Sequence, residues 1–186
     1  AWAALLDDGV SLESTGLSTI SDVRVAPLVQ SKWNQKAVGG VNTYNRFTPN
    51  NYACGCVATV GAQLMRYHAW PDASTAVPQN TFYCAVSGAG TNLTLFGGTY
   101  AWQNMPLVPD STTSDAQRDA IGKLTRDVGV AVHMRYSSSS SDTQTPVLAA
   151  TLTNLFGYAS ACVVSDYESG IDSQLPNAAL ANLDAG

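Results

Sequence analysis

Two thiols stand two residues apart in ACGCVATVGAQLMRYH, Ala53 to His68, directly before a segment with helical spacing. A thiolate is a strong nucleophile, and the unpaired amides at a helix N-terminus favour the anion over the thiol. Cys56 falls at that first turn, so its type and place fit a nucleophile. Gly55 before it would let a substrate approach, and the Cys56 amide could face a developing oxyanion. The competing reading of Cys56 is a buried structural cysteine, the commoner fate of a lone Cys. Cys54 and Cys56 could also be a redox pair or half a metal site, although one C-x-C without a second cluster is a weak zinc signal.

The elements that must position these residues follow from periodicity. Val57, Val60, Leu64 and Met65 recur at helical spacing from Cys56 to His68, with Gly61 beside them where something bulky must pack close. Trp70-Pro71 stops that helix, because a proline pushes its predecessor out of the helical region. Residues 72–112 read as short strands and loops, with turn signals at SGAG and FGG. SDAQRDAIGKLTRDVG is a second helix, with Ser114 as N-cap and Gly129 as its stop. VAVHMRY alternates as a strand does, SSSSSDTQ is a loop, and PVLAATLTNLFG is a third helix from Pro146 to Gly157. ACVVS reads as a strand with Cys162 in the core, and Ile171 to Leu183 as a last amphipathic stretch. A Cys54–Cys84 disulfide and free buried thiols are both compatible with the spacing.

The chain has 186 residues, with 45% hydrophobic and only 12% charged, and 14 acids against 9 bases give a net charge of −5. That length suits one domain with a real core. The charge argues against a nucleic-acid partner, which would need a clustered basic face. No apolar run approaches the roughly 18 residues of a membrane span. The low Lys content and the Ser/Thr/Asn-rich composition suggest a secreted bacterial protein.

The run Gly55 to His68, G-C-V-A-T-x-x-A-Q-x-M-x-Y-H, resembles the active-site signature of the streptopain family of papain-like cysteine peptidases. PLVQSKWNQ, TYAWQNM, DVGVAVHMRY and TLTNLFGY are similar to further stretches of that family, in order. The resemblance implies an α+β papain-like fold, mainly its helical, nucleophile-bearing half. Residues 25–186 would be the N-terminal part of the catalytic domain, and residues 1–24 a propeptide tail or linker. It implies a secreted cysteine endopeptidase made as an inactive precursor, without metal or other cofactor, acting on protein or peptide substrates. Cys56 takes the place of the nucleophile, and Gln35 that of the oxyanion-hole glutamine. The loop Ser137 to Asp142 falls where the family lines its cleft, so Ser139, Ser140 and Ser141 are candidate substrate contacts. A solvated linker is an equally good reading of five serines. By analogy, the cleft would favour a hydrophobic side chain two residues before the scissile bond.

The family's base is a histidine in a G-H-A-type motif, followed by a W-G-W-type motif, and neither occurs here. His68 lies twelve residues along the helix from Cys56, roughly 18 Å away, and reads as a partly buried structural residue. His133 reads as an exposed strand residue. The four tryptophans read as core or cleft-wall packing. The expectation is therefore a second chain, cut from the same precursor after Gly186, that carries the histidine and tryptophan. A shortened piece of the enzyme is the other possibility. Two rivals stand beside the peptidase: an inactive or non-enzymatic peptide-binding half-domain, and a thiol-redox protein using Cys54 and Cys56.

Overall fold

The computed structural model describes residues 27–162. The expectations for residues 1–24, for Trp2 and for Ile171 to Leu183 lie outside those residues.

The first helix, α1, spans Cys56–His68 and is closed by Ala69 in the left-handed region. Trp70 and Pro71 follow at once, as the proline stop requires. Its buried face is made of Val57, Ala58, Thr59, Gly61, Ala62 and Met65. The stripe is rotated from the predicted one. Val60 is 50% exposed and Leu64 is half-buried. Small residues took the buried face because two helices press on it. A Cβ on Gly61 would come within 2.7 Å of Leu148 and 2.9 Å of Val128, so the close approach expected at this glycine is present.

Helix α2, Asp115–Ala131, packs along α1. Ser114 and Gln117 form a reciprocal capping box at its start. Gly129 does not stop it; the helix continues to Ala131. Glycine is needed there for packing, since a Cβ would lie 2.5 Å from the Tyr136 hydroxyl. The strand predicted from VAVHMRY shrinks to Arg135–Tyr136. Val130, Ala131 and Val132 are all buried, and a run enclosed on every side carries no period that separates strand from helix.

Residues Ala37–Val38 (β1) and Val41–Asn42 (β2) form a minimal hairpin. Thr81–Val86 (β3) and Ala89–Thr94 (β4) form the larger one. Its turn is Ser87-Gly88, both at positive φ, the geometry that matches strand twist in a two-residue connection. Arg135–Tyr136, β5, adds in parallel beside β3, giving the order β4-β3-β5. Helix α3, Pro146–Asn154, begins on its proline and packs on α1.

Buried polar groups tie these pieces together. Arg118 of α2 is buried and donates to the carbonyls of Thr113 at 2.9 Å, Val38 at 3.0 Å and Val41 at 3.3 Å. It thereby staples the β1–β2 hairpin to the helix. Asp127 accepts from the amides of Phe96 at 2.8 Å and Gly97 at 3.0 Å, and from the Tyr100 hydroxyl at 3.1 Å, which pins the exit of β4 to α2. Trp33 and Trp102 are in the core, and Trp70 is half-buried. Cys54 and Cys84 are both buried and both free thiols. Cys162 is exposed and outside any strand, contrary to the core position expected of it.

Candidate active site

Cys56 is the first residue of α1 and is exposed, while Cys54, two residues earlier, is fully buried. The turn between them explains the difference. Gly55 has φ 93° and ψ 147°, a region that is essentially reserved for glycine. A Cβ there would also stand 2.5 Å from the Met134 methyl, 2.7 Å from its sulfur and 3.1 Å from the Ser141 carbonyl oxygen. The chain thus turns through a backbone conformation that favours glycine in a crowded slot, sends Cys54 inward and presents Cys56 outward. No side chain caps the start of α1, and no acid lies in its first turn. Its leading amides are left open to an incoming oxygen anion.

Burial pushes the Cys54 thiol up to about 12. Its sulfur sits 3.4 Å from the Thr59 hydroxyl, deep behind the turn. Cys54 is therefore a protonated packing residue at neutral pH, and the two thiols do not share a surface. Burial likewise pushes Cys84 up to about 11, against the opposing pull of the Arg126 charge.

Gln35 is half-buried, and its backbone carbonyl accepts from the Cys54 amide at 3.0 Å. That bond sets Gln35 beside the turn that carries Cys56, although 21 residues separate them in sequence. The serine loop reaches the same turn from the other side. Arg135 and Asp142 pair across its base, through backbone bonds of 2.9 and 3.2 Å and an ion pair at 2.6 Å. Inside the loop, the Ser140 amide donates to the Ser137 hydroxyl at 3.1 Å. Ser139 and Ser140 are exposed at the tip. Ser141 is only 6% exposed; its carbonyl faces Gly55, and its hydroxyl has no partner. Gln35, Cys56 and the serine loop thus converge on one turn.

Neither histidine joins them. His68 is exposed at the far end of α1, not partly buried as its sequence context suggested; its ring meets Tyr67 and Tyr158 edge-on. His133 is exposed, but in the left-handed region at φ 57° rather than in a strand. Its Nδ1 lies 3.0 Å from the Tyr83 carbonyl and its ring meets Phe82. It faces β3, whereas the next side chain, Met134, is the one that reaches Gly55. Among the described residues, no group of three His, Cys, Asp or Glu could hold a metal ion. None of the described helices is long and apolar enough to cross a membrane.

Sequence reasoning gave no role to Met134 or Gln63, although both touch the machinery. Gln63 falls seven residues after Cys56, two helical turns along the same face, and that spacing was the available signal. Met134 reads as an ordinary core residue, and only the fold brings it to Gly55.

A model of the peptidase C10 family matches residues 33–186. The chain belongs to the peptidase C10 family. This C10 chain is 29% identical over 179 residues to streptopain of Streptococcus pyogenes serotype M28, a match covering 80% of the chain and 44% of the relative. It is 29% identical over 120 residues to a thiol protease/hemagglutinin of Porphyromonas gingivalis, covering 63% of the chain and 14% of that protein. The chain thus spans less than half the length of the curated relatives it matches. Active wild-type interpain A cysteine protease of Prevotella intermedia superposes with a TM-score of 0.60 at 27% identity, covering 72% of the C10 chain and 55% of the other. A prointerpain A fragment from the same organism gives 0.58 at 25% identity, with 72% and 43% covered. The α+β architecture of the C10 chain is that of the papain-like cysteine peptidases.

Proposed function

We propose that this chain is the nucleophile-bearing half of a secreted cysteine endopeptidase. The single observation that carries the reading is the exposed Cys56 at the open start of α1, with Gln35 bonded to the adjoining turn. Cys56 sulfur attacks the scissile carbonyl carbon. The carbonyl oxygen takes up negative charge and is met by the Cys56 amide and the Gln35 side-chain amide. Collapse expels the amine, leaving a thioester that water then hydrolyses.

The attack needs a base to take the thiol proton and return it to the amine. His68 and His133 both point elsewhere, and we place the base on a histidine outside these 186 residues, with a second chain from the same precursor as its proposed bearer. That chain also supplies the tryptophan beside the histidine. Ser139 and Ser140 at the exposed loop tip, and the Ser141 backbone, line the substrate's path over Gly55. No cofactor is needed. The relatives are bacterial proteins, which fits an exported enzyme.

The test pairs two cysteine variants in the active preparation. Cys56→Ala should abolish peptide hydrolysis, and Cys54→Ser should keep it within a few-fold, since Cys54 is a packing residue. Intact mass should show a second, histidine-bearing polypeptide. Hydrolysis surviving Cys56→Ala, or loss on Cys54→Ser equal to that on Cys56→Ala, would refute the reading; the second result would point to a two-thiol redox protein instead. A preparation with no hydrolysis and no histidine-bearing partner would identify a non-enzymatic peptide-binding half-domain.

A further inference from the structure

Gln63 sits on α1 facing the extended segment that delivers Gln35. Its side-chain Oε1 accepts from the Trp33 amide at 3.2 Å and from the Ser31 hydroxyl at 3.1 Å. Nearer Cys56, the Thr59 hydroxyl reaches the Asn34 carbonyl at 3.3 Å, a bond it shares with the Gly55 carbonyl at 3.1 Å. The Cys54 amide then reaches the Gln35 carbonyl at 3.0 Å. The other edge of the segment is held independently of α1: the Lys32 amide donates to Leu107 at 2.8 Å and the Trp33 indole to Pro106 at 3.0 Å. Residues 31–35 are therefore an irregular strip tied rung by rung to the helix that carries the nucleophile. They form no strand, so no sheet ladder fixes their register.

Gln63 grips that strip from two helical turns beyond the Gly55 turn. One oxygen with two lone pairs meets two donors from residues two apart. That fixes both the height of the strip along α1 and its rotation. A slip of the strip would carry Gln35 away from the oxygen it must meet, and oxyanion stabilisation falls steeply when the donor is misplaced.

We propose that Gln63 is a positioning residue for the oxyanion hole: it holds segment 31–35 in the register that aims Gln35 at the reacting carbonyl. This rests on the reading of Gln35 as an oxyanion donor. Gln63 does not touch the reacting atoms. It acts on the step in which charge develops on oxygen, and not on the reactivity of the Cys56 sulfur.

The test is a double-substitution cycle in the active preparation, with a chromogenic peptide as substrate and iodoacetamide alkylation of Cys56 followed by peptide mass, which separates it from the exposed Cys162. Gln63→Met keeps the side-chain length and removes the acceptor; Gln63→Glu keeps an acceptor oxygen. Gln63→Met should lower kcat about tenfold or more, with KM and the Cys56 alkylation rate within about twofold of wild type. Gln63→Glu should recover most of the kcat. In a Gln35→Ala background, Gln63→Met should cost no further activity, because the group it aims is already gone. An equal cost in both backgrounds, a parallel fall in alkylation, or an unchanged kcat would overturn the proposal. If Gln35→Ala alone leaves kcat unchanged, the assignment of Gln35 fails first, and the Gln63 role falls with it.

Discussion

At the residue scale, the site depends on a hydrogen atom. Gly55 carries no side chain, and the Met134 thioether and the Ser141 carbonyl occupy the space where one would be. Gly55→Ala must adopt a backbone region that costs about 1–3 kcal/mol outside glycine, and must also displace Met134. We expect a loss of at least that size in urea unfolding, together with a fall in activity of more than tenfold as Cys56 is re-aimed. An alanine variant with native stability and native rate would show that the turn does not need glycine. The sequence makes the proposed nucleophile legible, because a cysteine before a helical period is a local pattern. The reason for its glycine is not local. Met134 and Ser141 are about 80 residues downstream of Gly55, and nothing in their types marks them as its neighbours.

At the scale of elements, α2 is the strut. Arg118 looks in sequence like one more surface charge on an amphipathic helix. In the fold it is buried and surrounded by carbonyls 5 to 80 residues away. Arg118→Met should leave those acceptors without a donor and cost about 2–4 kcal/mol, read by urea unfolding. A cost near zero would show that water takes over. The Ser114 cap of α2 and the proline start of α3 are readable because caps are short-range signals. The end of α2 was misread for the opposite reason: Gly129 looked like a stop, yet it is small to admit Tyr136. The rotated stripe of α1 has the same origin, since periodicity finds apolar residues and not the small ones that let helices approach.

The serine loop carries a pH dependence of its own. The Arg135 guanidinium beside Asp142 holds that carboxyl below the usual carboxylate range. A carboxyl lowered in the folded state stabilises it above its unfolded value of about 4. The contribution is lost as pH falls through the folded value. The melting temperature of wild type should therefore exceed that of Asp142→Asn at neutral pH. The two should converge as the pH falls through the folded value. Both side chains are largely exposed, so salt should shrink the difference as well. Equal melting at neutral pH, or a gap that widens in acid, would remove the clasp from the account.

At the scale of the whole molecule, the residues described form the α+β frame on which the proposed active site is built. Helices α1, α2 and α3 and the three-stranded sheet hold Cys56 outward and Gln35 beside it, while both histidines are directed elsewhere. The papain-like half was legible because the signature from Gly55 to His68 is long and specific. The proposed histidine base has no candidate near Cys56, since His68 and His133 both face other neighbours. The most direct measurement is the rate of modification of each cysteine by an epoxide inhibitor of cysteine peptidases, in the active preparation and resolved by peptide mass. Cys162 is exposed as well, so it reports the reactivity of an ordinary accessible thiol in the same tube. Labelling of Cys56 should outrun Cys162 by at least a hundredfold, with Cys54 and Cys84 untouched. Equal rates at the two exposed thiols would mean that no base serves Cys56 and that it is not a peptidase nucleophile.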